Sequence, residues 1–473
     1  MKKSFNFIAF ILFLVLLSTS SCKKVKGLSN GHLSFSADTV VFDTVFTTIG
    51  TTTKQFKIYN NSTKSIKIEE IELMGGASSP FKINIDGYAG NAISDITLEP
   101  HDSLFGFVTV KLKVNNQTNP MVIEDSIRFK TNGFNQYVQL AVWGQDIYYH
   151  YTDFDKKVYD LNNDVVWPND KPHLIYGAAI VDSARFLVIQ KDTKIYLHKK
   201  AYLFVYKGRL DIQGTLGHEV TIEGDRLESA YNELPGQFYG VYFHQAQSST
   251  INYTNIFNGT VGVHVYGNDN LNSDYTVKIS NSKLFNNISY GLWIFSGAKV
   301  KAENCVIAKN GVYGVYVLGG GDFHLNNCTI VGYSAQTSPT PALAITNYYY
   351  DSKAQTTYLG YINEGYLRNC VIDGDNVNEI IIDTLNTKPV TSNLINLDID
   401  YCSLKKKEIG NDSFYGAHMN WNKPSLFKNI TKNDYHFNSG SILDNNGLSN
   451  SLLFDIEGKS RSFLTPDIGA YEN

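Results

Sequence analysis

The feature that most constrains this chain is a short pattern that returns six times in its second half. Ile251–Ile256, Ile279–Leu284, Ala302–Ile307, Leu325–Ile330, Leu367–Ile372 and Ile399–Leu404 each set a small residue three positions after an apolar one. The small residues are Thr254, Ser282, Cys305, Cys328, Cys370 and Cys402, spaced by 28, 23, 23, 42 and 32. A base period of 23 with loop insertions is the signature of a solenoid, in which each coil buries its apolar side only by stacking on its neighbours. Asn281, Asn304, Asn327 and Asn369 precede four of the small residues, so their amides are expected to stack from coil to coil. A second column reads Tyr239-Gly240, Val261-Gly262, Tyr290-Gly291 and Tyr313-Gly314, each followed by an alternating apolar run. The 31 Tyr, 27 Phe and 37 Gly, with recurrent Asn pairs, suit strands joined by tight turns.

The combined pattern I-x-N-C-x-I-x-x-N-G-x-Y-G-V-x-V closely resembles the right-handed parallel β-helix repeat family. The resemblance implies an all-β solenoid over 187–430, with less regular coils running back to Leu187. The interval of 42 residues holds a Ser/Thr/Pro- and Tyr-rich insertion, Tyr333–Tyr361. Upstream, 32–147 contains seven or eight short alternating runs separated by Asn60-Asn61, Gly75-Gly76, Asn115-Asn116 and Asn132-Gly133. Their number and length fit a β-sandwich. The run from Phe56 to Ile83 resembles bacterial Ig-like modules of the ASPM/SPD-2/Hydin type, which implies a spacer or docking module. Residues 148–186 are expected to connect the two domains. The final segment, 431–473, closes on Asp467-Ile-Gly-Ala-Tyr-Glu472 and resembles the ending of choice-of-anchor surface proteins. Its expected role is to cap the open end of the solenoid, where unpaired strand edges would otherwise face solvent.

At the N-terminus, Lys2 and Lys3 precede the apolar run Phe5–Leu17, then Ser18-Thr19-Ser20-Ser21 and Cys22. Thirteen residues are short for a membrane span and suit a signal peptide over 1–21. Small residues before Cys22 resemble a bacterial lipoprotein box, with Thr19 where Leu is usual. The relaxed box resembles those of Bacteroidetes lipoproteins, as does the loop Gly224–Glu228 with Pro235–Phe238. This implies acylation of Cys22, a tether over 22–31, and a membrane partner through that lipid anchor in the cell envelope, at the outer membrane. Many surface-exported lipoproteins of that phylum carry acidic residues after the Cys. Lys23-Lys24-Val25-Lys26 departs from them, so both a periplasm-facing and a cell-surface position stay open.

Without 1–21 the chain has 39 basic and 45 acidic residues, a balance that argues against nucleic acid as a partner. The five Cys form no CxxC pair and no His spacing suited to zinc, so neither metal nor cofactor is expected. Four of the Cys share the small-residue column and are expected to be free and buried. Alternation points Val241, Phe243, Val263, Val265, Leu292, Ile294, Val315 and Val317 inward. It turns Tyr242, His244, His264, Tyr266, Trp293, Phe295 and Tyr316 outward. Tyr242, His264, Tyr266, Trp293, Phe295 and Tyr316 are therefore candidate glycan contacts, because flat aromatic rings stack on sugars, against a loop or the sandwich domain covering this face as the simpler reading. Lys278, Lys301 and His324, with Tyr366 beside them, are candidate contacts for an acidic ligand, against a solvated strand face as the simpler reading.

No catalytic residue is assigned. The N-x-D, D-D, G-H-G and R-x-K series of polygalacturonase-like hydrolases is missing, His32 and His218 stand alone, and Asp373, Asp375 and Glu379 form the one acidic cluster. Asp38-Thr39, Asp43-Thr44, Asp102-Ser103, Asp125-Ser126, Asp182-Ser183 and Asp383-Thr384 resemble a Bacteroidetes O-glycosylation triplet, and are also ordinary turn chemistry. The expectation is a non-catalytic envelope lipoprotein that binds glycan or another envelope component. The alternatives are a polysaccharide lyase or glycoside hydrolase, and a structural spacer or adhesin stalk.

Overall fold

The computed structural model describes residues 29, 31–47, 49–114, 121–152, 165–267, 274–333, 340–385, 395–409, 412–449 and 452–473. Cys22, the signal-like run and most of the tether lie outside the described residues. The chain divides into two compact units, Met1–Asp146 and Ile147–Asn473.

The first unit is two five-stranded sheets around one core. Phe42, Phe56, Phe81 and Phe129 fill its middle. Strand Ile66–Leu73 shows how sequence sets the packing. Ile66, Ile68, Ile71 and Leu73 are all buried, which strict alternation forbids. The register against Met121–Thr131 shifts between Ile68 and Glu70, and this irregularity returns Ile71 to the core face.

The second unit is a right-handed parallel β-helix, as the repeat implies. Its coils contribute in turn to three parallel sheets: nine-stranded sheet A, eleven-stranded sheet B and eight-stranded sheet C. One coil runs through Val277–Ser280 in A, Lys283–Phe285 in B and Tyr290–Phe295 in C. Ile279, Leu284, Leu292 and Ile294 point from these strands into the common core. The chain turns from A to B at left-handed residues, Asn281, Asn304, Asn327 and Asn369, all with φ between 50° and 53°. Asn tolerates this conformation better than most residues, and its amide is free to bond along the stack. Asn304 Nδ2 donates to Asn281 Oδ1 (3.1 Å), and Asn369 Nδ2 donates to Asn327 Oδ1 (3.2 Å). The next small residue turns inward, where Cys305, Cys328, Cys370 and Cys402 are buried free thiols. Burial pushes the Cys305 and Cys370 thiols up from their ordinary range.

Two boundaries differ from the sequence reading. The described residues of 148–186 are coil rather than connector. Tyr148–Tyr151 and His173–Tyr176 belong to sheet B, Val165–Trp167 to A, and Ala178–Val181 to C. These rungs lack the Asn-small corner by which the later coils are recognised, so periodicity passes over them. The C-terminal segment also lies elsewhere than expected. The last coil is closed by 412–421, whose Phe414, Tyr415, Met419 and Trp421 pack on the core. The described residues of 431–473 instead lie along the flank of the helix. Tyr435, Ile456, Ala470 and Tyr471 cover Phe285, Val306, Ala308 and Val331 on the outer side of sheet B. Those outward apolar residues need a cover as much as an open end does.

Candidate functional site

Sheet C carries the aromatic columns. Its strands Tyr202–Tyr206, Gly240–His244, Val261–Tyr266, Tyr290–Phe295 and Tyr313–Leu318 pair in register. Each inward residue therefore lies above its counterpart in the core, and each outward residue repeats outside. Phe204, Tyr242, His264, Trp293 and Tyr316 make one outer column. Tyr206, His244, Tyr266 and Phe295 make the next.

Coils rise by about 4.8 Å, close to the distance of ring stacking, so some successive rings lie face against face while others tilt, as Tyr266 and Phe295 do at 56°. Tyr242 and His264 are 4.2 Å apart at 7°, and His264 and Trp293 are 4.1 Å apart at 10°. In the second column His244 and Tyr266 are 4.6 Å apart at 28°. Tyr290 and Tyr313 flank the first column, 5.9 Å apart at 9°. Tyr242, Trp293, Tyr316, Tyr266 and Phe295 are half-buried.

His264 departs from its expected place as a ligand contact. It points outward, but the rings above and below leave it only 6% exposed. Tyr239 Oη lies 2.8 Å from its Nδ1, while its Nε2 and the Trp293 Nε1 find no hydrogen-bond partner among the described residues. Burial, with His244 nearby, lowers its pKa to about 3, so the ring is neutral near neutral pH. Burial raises Tyr239, Tyr242 and Tyr316 to about 12. These four titratable groups of the face are therefore uncharged near pH 7.

The Tyr-rich insertion supplies residues that the sequence reading did not single out. Tyr348–Asp351 and Thr356–Leu359 form a hairpin. Its Tyr349 meets Phe295 edge-on at 5.1 Å and stacks with Tyr358 at 5.1 Å. Nearby, Tyr350 is 61% exposed and Tyr361 51%. The signal available was composition alone, because the insertion interrupts the repeat.

Lys278, Lys301, His324 and Tyr366 do align on sheet A. Their charge is compensated locally. Lys278 pairs with Asp274 (2.8 Å), Lys301 with Glu303 (2.9 Å), and His324 lies 3.6 Å from Glu364. The pocket beside them, about 280 Å³, also contains Arg368, which is paired with Asp398. The acidic cluster disperses into structural roles. Glu379 is buried and accepts the backbone N–H of Ala342 (2.8 Å) and Asn376 (2.6 Å), while Asp373 accepts from Ser425. Among the described residues, no three His, Cys, Asp or Glu side chains converge on a point where a metal ion could sit.

One group on sheet B was missed by sequence. His198 Nδ1 lies 2.7 Å from an Asp225 carboxylate oxygen, and Tyr176 stacks on the imidazole at 3.9 Å. Glu223, two residues before Asp225, is raised from the usual carboxylate range by burial. Only the stacking of three coils assembles these residues.

Residues 239–405 match the family model described as "Right handed beta helix region". No curated protein matches. A solved family 123 glycoside hydrolase from Clostridium perfringens is similar at 6% identity and TM-score 0.19, over 26% of this chain and 30% of that one. The PapD-like domain 7 of human CEP192 is similar at 11% identity and TM-score 0.17, over 27% of this chain and 97% of that one. The catalytic domain of a GH87 α-1,3-glucanase is similar at 10% identity and TM-score 0.17, over 75% and 81%.

Proposed function

We propose that this chain is a cell-envelope protein that binds glycan, or another envelope component, through the outer face of sheet C. The observation that carries the reading is the ribbon of half-buried rings from Phe204 to Tyr316, prolonged by Tyr349 and its hairpin. Contiguous apolar surface of this kind usually marks a contact. His264 is sandwiched between Tyr242 and Trp293, and His244 stacks on Tyr266, so the stacked faces of these rings are not free for a sugar. Tyr350 and Tyr361, exposed and without a ring partner among the described residues, have faces to offer a sugar.

Cys22 after its small-residue run supports an acylated anchor at the outer membrane. Metabolic labelling with a radioactive fatty acid is expected to mark the chain and to miss the Cys22→Ser variant.

The binding reading is tested by native electrophoresis of the mature, unlipidated protein through gels cast with neutral or acidic polysaccharides. Retardation in at least one gel is expected, reduced tenfold or more in Trp293→Ala/Tyr316→Ala. Retardation that the double variant leaves unchanged would remove the aromatic face from the reading. Retardation in no gel would favour a spacer or stalk.

A second reading, a glycoside hydrolase, draws on Glu223 and Asp225. One carboxyl is held towards its protonated form by burial, and the other is fixed by His198. Two carboxyls in unlike settings are what acid-base cleavage of a glycosidic bond requires. Cleared polymer behind the band, abolished by Glu223→Gln, would establish it.

A further inference from the structure

We propose that a lysine-rimmed groove in the first unit contacts an anionic lipid surface. The groove has a volume of about 750 Å³, and Leu112, Met121 and Ile123 form part of its apolar wall. Lys82, Lys111 and Lys113 stand around it. The sequence explains this placement. Lys82 is an outward residue of Phe81–Ile85, and Lys111 and Lys113 flank the inward Leu112, so alternation sends both to the same side. All three lysines are exposed, and among the described residues none forms an ion pair. Val114 beside them is 51% exposed. The nearby Asp125 carboxylate accepts from the Gly75 and Ser126 N–H groups and the Ser79 hydroxyl, and among the described residues it forms no ion pair with the three lysines.

Three unpaired ammonium groups around an apolar recess suit a ligand with an anionic head joined to hydrocarbon. A bilayer of anionic phospholipid presents that combination as a surface. Lys23, Lys24 and Lys26 carry the same sign of charge in the stretch after Cys22. The inference goes beyond glycan binding and does not depend on it.

The test uses the mature, unacylated chain with Cys22→Ser, floated with vesicles of phosphatidylcholine alone or of phosphatidylcholine and phosphatidylglycerol in equal parts. Flotation is expected only with the anionic vesicles, and is expected to weaken with added salt. Each of Lys82→Gln, Lys111→Gln and Lys113→Gln is expected to reduce it about fivefold. Val114→Ser is expected to reduce it as well, which charge attraction alone would not do. The proposal is overturned if the triple Lys→Gln variant floats like the parent. It is also overturned if neither vesicle is bound, or if Lys23, Lys24 and Lys26 account for all binding. An unchanged far-UV spectrum and an unchanged urea transition of the first unit would show that the variants are folded, and polysaccharide gels run in parallel would separate this outcome from failure of the glycan reading.

Discussion

At the scale of the residue, alternation placed the aromatic side chains on the correct side of sheet C but said nothing about what they do there. Parallel in-register pairing sets His264 between Tyr242 and Trp293, turning a presumed contact into a buried link. Its lowered pKa has a signed consequence. The native imidazole stays neutral down to about pH 3, whereas the unfolded chain takes a proton below its ordinary value of 6.5. His264 therefore contributes fully above pH 6.5, and its contribution falls with pH between 6.5 and 3, by up to about 1.4 kcal/mol per pH unit. His264→Phe keeps an aromatic ring in the column and removes the titration. In urea melts the stability of the parent relative to the variant is expected to fall as pH falls from 6.5 to 4. Parallel curves would show that the ring is solvated.

At the scale of the element, the A-to-B corner joins two structures that the sequence presents as unrelated. Asn304 donates to Asn281 Oδ1 and to Phe454 O (2.9 Å), and accepts from Arg461 Nη2 (2.9 Å). Asn304→Ala loses these bonds and also places at φ 53° a residue that tolerates the left-handed conformation less well than Asn. The expected cost is about 3 kcal/mol, of which Asn304→Gly should recover about 1 kcal/mol by relieving the backbone. Chemical denaturation of the two variants separates the contributions. Arg461 is itself buried and pairs with buried Glu472 at 3.1 Å. Arg461→Met leaves that carboxylate without its partner, at about 3–5 kcal/mol. The expected readout is limited proteolysis within 431–473 while the β-helix stays intact. The repeat revealed Asn281, Asn304, Asn327 and Asn369 because they recur at one place in the coil. It did not reveal two amide pairs at adjacent positions of the B-to-C corners, where Asn286 Nδ2 donates to Asn258 Oδ1 (2.6 Å) and Asn287 Nδ2 to Asn310 Oδ1 (2.9 Å). There the spacing of Asn to the following Gly varies from coil to coil.

At the scale of the whole molecule, two separate cores predict two separable folding units. Fragments cut between Asp146 and Ile147 are each expected to unfold cooperatively, with 147–473 keeping the near-ultraviolet signal of its aromatic columns. A fragment starting at Leu187, the edge suggested by periodicity, would lose Leu174, Ile175 and Trp167 from the first coils and is expected to aggregate or melt earlier. The sequence by itself determined the coil, its period, the residues that face inward and the Asn corners. All of these follow from local conformation repeated at intervals, which one strand and one turn specify without reference to the rest of the chain. Only the tertiary structure decided where the β-helix begins, which rings stack, that His264 is buried, and that the last forty residues lie along the flank of sheet B. Those outcomes depend on which distant surfaces come together, and a hydrophobic residue pointing outward reads the same whether water, a neighbouring ring or the end of the chain eventually covers it.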